Sequence, residues 1–260
     1  MKRPIKTSAA ALFVLLVLAC PAAWADITLD PVIANVTGSS LSAPGFGTGS
    51  WQASATLNGE KSELYLPPSL LFGHSVTISD IASISYWTDN PVADSSTDWG
   101  LLIYTVAQPG DTSWYHSRLN AEPYLTGAGD AANTWTQWST NDPSNPLRFY
   151  DANRDGGIYG TYTDPTLATI QGTTTLTWPG SPSTSLNYNP EQILYFSWQT
   201  GSAWANGFTG LIDGLDITLK DGEDAKVNLE APEASSVVLL AMMLGIVGLG
   251  VRTLSSAWPK

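Results

Sequence analysis

The chain has 260 residues, with 11 Lys and Arg against 23 Asp and Glu, a formal net charge of −12 and a single cysteine. A surface this acidic repels phosphate backbones, which argues against nucleic acid as a partner. The lone Cys20 excludes disulfide staples, thiol catalysis and cysteine-based zinc sites from the rest of the chain.

At the N-terminus, Lys2, Arg3 and Lys6 precede the apolar residues 9–18, and Ala23-Trp24-Ala25 places small residues ahead of a cut before Asp26. Residues 1–25 therefore read as a secretory signal peptide. A rival route stays open, because Val17-Leu18-Ala19-Cys20 resembles a lipoprotein cleavage box and would lipidate Cys20.

Residues 26–225 read as one β-sandwich domain. The slightly longer stretch 26–231 holds six cations and 22 acids, a net of −16, which suits an extracellular protein and equally suits cation binding. An opening strand at 27–36 leads into a Gly- and Ser-rich loop. Gly45, Gly47 and Gly49 in that loop lack the strand-to-helix setting of a nucleotide fingerprint. From Trp51 onward, short β-branched and aromatic segments alternate with polar residues and are broken by turns. They fall at 75–79, 82–87, 101–106, 114–119, 147–150, 173–178, 193–198 and 211–219. Alternation at period two predicts strands with one buried face. The one helix expected is a turn or two at 165–170, with Asp164 as N-cap and Pro165 at the first helical position. The fold class is all-β, a single antiparallel two-sheet sandwich of the jelly-roll kind.

The run Gly207-Phe208-Thr209-Gly210-Leu211-Ile212-Asp213-Gly214-Leu215-Asp216-Ile217 resembles the closing strand of concanavalin A-like (laminin-G-like) jelly rolls. The resemblance implies a fold whose members are mostly carbohydrate or surface-ligand binders, with some glycoside hydrolases among them. Fold alone decides neither function.

Nine of the eleven tryptophans fall in 26–231. Indoles stack on sugar rings and also fill sandwich cores. Trp87, Trp178 and Trp198 lie in strand patterns and read as core, whereas Trp135 and Trp138 lie in a polar stretch and read as a sugar platform or as caps on a sheet edge. Trp114, His116 and Arg118 are expected on one face of a strand, placed to hold a sugar hydroxyl or a carboxylate; the alternative for Arg118 is a structural ion pair with Glu122. No residue is assigned as catalytic. His74 and His116 are the only histidines, no nucleophile elbow or zinc-binding helix occurs, and the pair Asp94 and Asp98 reads as solvated.

Asp151, Asn153, Asp155 and Gly157 reproduce the first half of an EF-hand-type calcium loop, although Tyr162 stands where its bidentate Glu belongs. Either weak Ca2+ binding or a plain turn between strands accounts for this spacing.

Beyond a linker at 226–233, Pro232 and Glu233 precede an uncharged apolar run at 234–251, followed by Arg252 and a C-terminal Lys260. Eighteen residues make a helix of about 27 Å, enough to span a bilayer core. The order of these parts resembles the C-terminal sorting signal of the PEP-CTERM family, with Ala234 where a second Pro is usual. The resemblance implies an exported protein, handled by an exosortase at the inner membrane and then passed to the cell surface or beyond. Residues 252–260 form the basic cytoplasmic end. The expected function is a non-catalytic surface or matrix module binding polysaccharide; the alternative is a glycoside-active enzyme on the same fold.

Overall fold

The computed structural model describes residues 32–229 except 56–59, 95, 152, 155–159, 179–180 and 202–207. The signal segment, the 234–251 span and the motif residues Pro232, Glu233 and Arg252 lie outside the described residues. No helix among the described residues is long and apolar enough to cross a membrane.

The protein is a β-sandwich. One sheet runs, in spatial order, β1 (Val32–Ala34), β4 (Glu63–Leu66), β12 (Ile193–Gln199), β6 (Gly100–Val106), β7 (Tyr115–Ala121) and β9 (Phe149–Asp151). The other runs β2 (Val36–Ser39), β3 (Ser50–Ala53), β13 (Leu211–Leu219), β5 (Ile81–Asp89) and β8 (Trp135–Ser139), with β14 (Asp224–Val227) also paired to β13. A separate hairpin joins β10 (Leu176–Trp178) to β11 (Ser181–Leu186). The pairings within both sheets are antiparallel.

Alternation explains which faces meet. Ile84 and Tyr86 of β5, Leu101 and Ile103 of β6, Phe196 and Trp198 of β12, and Ile212, Leu215 and Ile217 of β13 are buried in one core. Across the sheets the Tyr86 and Trp198 rings meet edge to face at 6.1 Å. Two of the buried aromatic polar groups find backbone partners: Tyr86 Oη donates to the Trp99 carbonyl at 2.9 Å, and Trp99 Nε1 donates to the Gly210 carbonyl at 2.9 Å, whereas Trp198 Nε1 is buried without one. Trp178 and Trp198 are core residues, as their strand patterns predict. Trp87 is only half-buried, packed with Phe46 against Gly214. Gly214 has φ +63°, at an irregularity in the β13–β5 register between Asp213 and Asp216. Asp213 is fully buried, and its carboxylate accepts from the backbone N–H groups of Ala43, Gly214 and Leu229 at 2.9, 2.7 and 3.1 Å.

Several elements differ from the expectation. The helix is α2 (Leu167–Gln171), preceded by α1 (Pro68–Leu71), and its N-cap is Thr166, whose hydroxyl accepts from Thr169 N at 3.2 Å. Asp164 instead closes the turn before it, accepting from Thr161 N and Thr161 Oγ1 at 2.6 and 2.9 Å. Residues 78–80 form a single 3-10 turn rather than a strand, capped reciprocally by Thr77 and Asp80. β8 lies in the stretch read as a polar connection. The last strand, β14, lies beyond the segments read as strands.

Candidate functional site

The outer face of the first sheet gathers aromatic side chains from four strands and the turn beside β7. Leu101, Ile103, Leu119 and Ala121 point into the core, so the alternate residues Leu102, Tyr104, Arg118 and Asn120 point outward. The register adds Tyr65, which pairs with Ser197, and Tyr195, which pairs with Tyr104. Trp114 lies on this group. Its ring stacks on Tyr104 at 4.7 Å and 30° and meets Tyr115, Tyr195 and Tyr65 edge-on at 4.9, 6.2 and 6.4 Å. It remains 53% exposed. An indole fixed by four neighbouring rings and still open to solvent presents a rigid apolar plane, and ordering a ligand against it costs little side-chain entropy.

Polar groups surround that plane. Gln199 Nε2 donates within 2.9–3.0 Å of the hydroxyls of Tyr65, Tyr104 and Ser197, and Lys61 Nζ donates to Gln199 Oε1 at 3.3 Å. Burial raises the Tyr65 and Tyr104 hydroxyls above the usual phenol range, so both stay protonated. Burial also pushes the Lys61 ammonium down; Glu63 pulls it back up and the Arg118 guanidinium pushes it down further. Arg118 lies over the Tyr115 ring at 5.9 Å. At the far end of the face Glu122 packs over Gly100 and accepts from Tyr150 Oη at 2.5 Å. The ion pair expected between Arg118 and Glu122 does not form.

A β-bulge explains where the expected strand face fails. Tyr104 pairs with Arg118, but two residues on, Val106 pairs with Tyr115 three residues back. The extra residue resets the alternation, so Tyr115 joins Trp114 and Arg118 on the aromatic face and His116 leaves it. His116 instead belongs to a polar cluster at the strand end. Asp111 Oδ2 lies 3.0 Å from its Nδ1, Arg154 meets its Nε2, and Arg154 Nη1 pairs with Glu191 at 3.3 Å. Glu191 is buried and also accepts from Thr105 Oγ1 at 2.8 Å.

Trp135 and Trp138 do not form a platform. They lie three residues apart on β8 and so on opposite faces. Trp138 is 4% exposed and donates through Nε1 to Thr88 Oγ1 at 2.7 Å, while Trp135 is half-buried on the outer side of the second sheet, opposite Asp89. Trp138 also lines a cleft of about 270 Å3, together with Asp94, Asp98, Asp130, Tyr124 and Tyr162. Asp98, expected to be solvated, is buried there. It accepts from Thr88 Oγ1 and Trp99 N at 2.8 and 2.7 Å, and burial raises its carboxyl to about 7.

Of the calcium-loop residues, Asp155 and Gly157 lie outside the described residues. Asp151 turns into the core, where its two oxygens accept from Asn153 N at 3.0 Å and Tyr188 Oη at 2.9 Å. Asn153 stays exposed and accepts from Tyr115 Oη at 3.2 Å. Asp151 thus has an internal structural partner set, and no group of three or more His, Cys, Asp or Glu among the described residues is arranged to hold a metal ion.

Compared with known proteins, the chain matches no family model and no curated protein.

Proposed function

We propose that the protein is an exported cell-surface or matrix-associated protein of the PEP-CTERM type, whose jelly-roll domain binds polysaccharide without catalysis. The observation that carries the binding reading is Trp114, exposed yet fixed by four rings at the centre of the aromatic face. Sugar rings present apolar C–H faces to such a plane, and their hydroxyls suit the neighbouring Tyr and Gln groups. Affinity electrophoresis of the full-length chain, purified in mild detergent, through gels containing soluble polysaccharides tests it. Wild type is retarded by at least one polymer and Trp114→Ala is not; equal mobility of the two proteins in every gel ends the reading.

The sorting part rests on the order of Pro232-Glu233, the apolar run and Arg252. On this reading the tail passes through the inner membrane, an exosortase cuts near Pro232-Glu233, and the domain reaches the cell surface. Mass spectrometry of the mature protein from an exosortase-bearing host checks it, and a mature pool that retains Lys260 contradicts it.

The cleft favours the alternative of a glycoside-active enzyme. Burial raises the Asp98 carboxyl toward neutrality beside Asp94 and Asp130, and a carboxyl kept protonated next to an ionised one suits acid-assisted glycoside cleavage. Release of reducing ends from a polysaccharide by wild type, lost in Asp98→Asn, would establish it in place of the binding module.

A further inference from the structure

Resting on the polysaccharide reading of the aromatic face, we infer that the glycan bound there is anionic, its repeat carrying a carboxylate that Arg118 receives beside Trp114. Three observations converge on this. The first is the state of Arg118 itself. Its Nε is buried without a hydrogen-bond partner, and no ion pair among the described residues engages its guanidinium, although the protein is rich in carboxylates. The Tyr115 ring holds the guanidinium in place but accepts none of its in-plane N–H groups. A guanidinium offers a planar fork of donors that matches a carboxylate, and burying one of those donors without an acceptor is unfavourable unless a ligand supplies it.

The second is Asn120, two residues along β7 on the same outward face. It is 7% exposed and its Oδ1 lacks a partner. A spacing of about 6–7 Å along the strand fits the width of one sugar residue, so a ring whose carboxylate meets Arg118 places a hydroxyl donor within reach of Asn120. The third is charge. Lys61 and Arg118 are two of only six cations in residues 26–231, and they share one face closely enough that Arg118 disfavours the charged form of Lys61. Of the carboxylates nearby, Glu63 already favours the charged form of Lys61 and Glu122 is held by Tyr150, so Arg118 is a cation that no carboxylate among the described residues pairs with. An anion between the two cations relieves their repulsion, whereas a neutral sugar leaves it in place.

The experiment compares polygalacturonate with its fully methyl-esterified form, two polymers that differ only in the carboxylate. In affinity gels the full-length chain binds polygalacturonate about tenfold more tightly, the factor that one charge-assisted hydrogen bond carries. Arg118→Gln lowers binding to polygalacturonate to the level of the ester, removing the preference between the two polymers; Trp114→Ala loses both. Equal retardation by the two polymers overturns the anionic preference while leaving the polysaccharide site standing. Retardation by neither of these polymers nor by any neutral one removes the site as well.

Discussion

Substituting Gly214 by alanine tests how the bulge in β13 is held. Gly214 sits at φ +63°, where an L-residue costs about 1–2 kcal/mol. A Cβ there would lie 2.7 Å from Phe46 Cδ2 and 2.9 Å from Trp87 Cδ1, closer than side chains tolerate. Both rings are half-buried and must swing outward, and forced rearrangement of this kind costs a further ~1–3 kcal/mol. The reduced freedom of the unfolded chain returns about 0.4–1 kcal/mol. The net is about 2–4 kcal/mol, or roughly 5–15 °C in Tm at 2–4 °C per kcal/mol for a domain of this size. Near-UV circular dichroism during thermal unfolding measures it and also reports the Trp87 environment. Gly73→Ala is the control, because φ there is +77° but nothing lies within 4 Å of the added Cβ. It carries the backbone cost alone, about 1 kcal/mol after the unfolded-state offset. Equal shifts for the two variants would refute the steric half of the reasoning, and no shift for either would refute both halves.

Asp98 gives a pH signature of definite sign. Its folded carboxyl is raised to about 7, above its unfolded value, so the fold binds the proton more tightly; stability from this group is full below about pH 4 and declines as pH rises to about 7. Asp98→Asn removes the cost of ionisation, on the order of 4 kcal/mol at about 1.36 kcal/mol per pH unit. Its urea midpoint should therefore exceed that of wild type at pH 8 and approach it at pH 5; a difference independent of pH would count against the assignment. Tyr188→Phe removes the hydroxyl that accepts from Trp178 Nε1 at 2.8 Å and donates to Asp151 Oδ2 at 2.9 Å. With a buried donor left unpaired and a buried carboxylate deprived of one partner, the loss should be about 2–4 kcal/mol in urea denaturation at pH 7, and a loss under about 0.5 kcal/mol would mean that water replaces the hydroxyl.

The strands that the sequence reveals are the central ones. β5, β6, β12 and β13 each bury one face fully, so their alternation is strong and their bounds fall within a residue or two of the reading. β8 escapes notice because it is an edge strand whose outward residues, Trp135 and Gln137, are not sharply distinguished from its inward ones, Thr136 and Trp138. Had it been recognised as a strand, the spacing of three would have separated the two tryptophans at once. The aromatic face is harder to see. Tyr65, Tyr104, Trp114 and Tyr195 meet through the strand order β4-β12-β6-β7, which no local window contains. The sequence does single out Trp114 and Arg118, but strict alternation carries His116 along with them, and the bulge that separates it has no glycine or proline to announce it.

Asp213 also bears on mechanics. Its carboxylate ties Ala43, near the start of the described chain, to Leu229 at its end. β14 runs antiparallel to β13, so a pull on the backbone from residue 230 onward peels the hairpin one rung at a time, from Val227 toward Asp224. The bond from Leu229 to Asp213 stands ahead of that sequence and must yield first. It is charge-assisted and shielded from water, and so stronger than the ladder bonds behind it. The fold therefore resists tension at its exit point up to a threshold and then unzips with little further resistance, with the carboxylate acting as the catch.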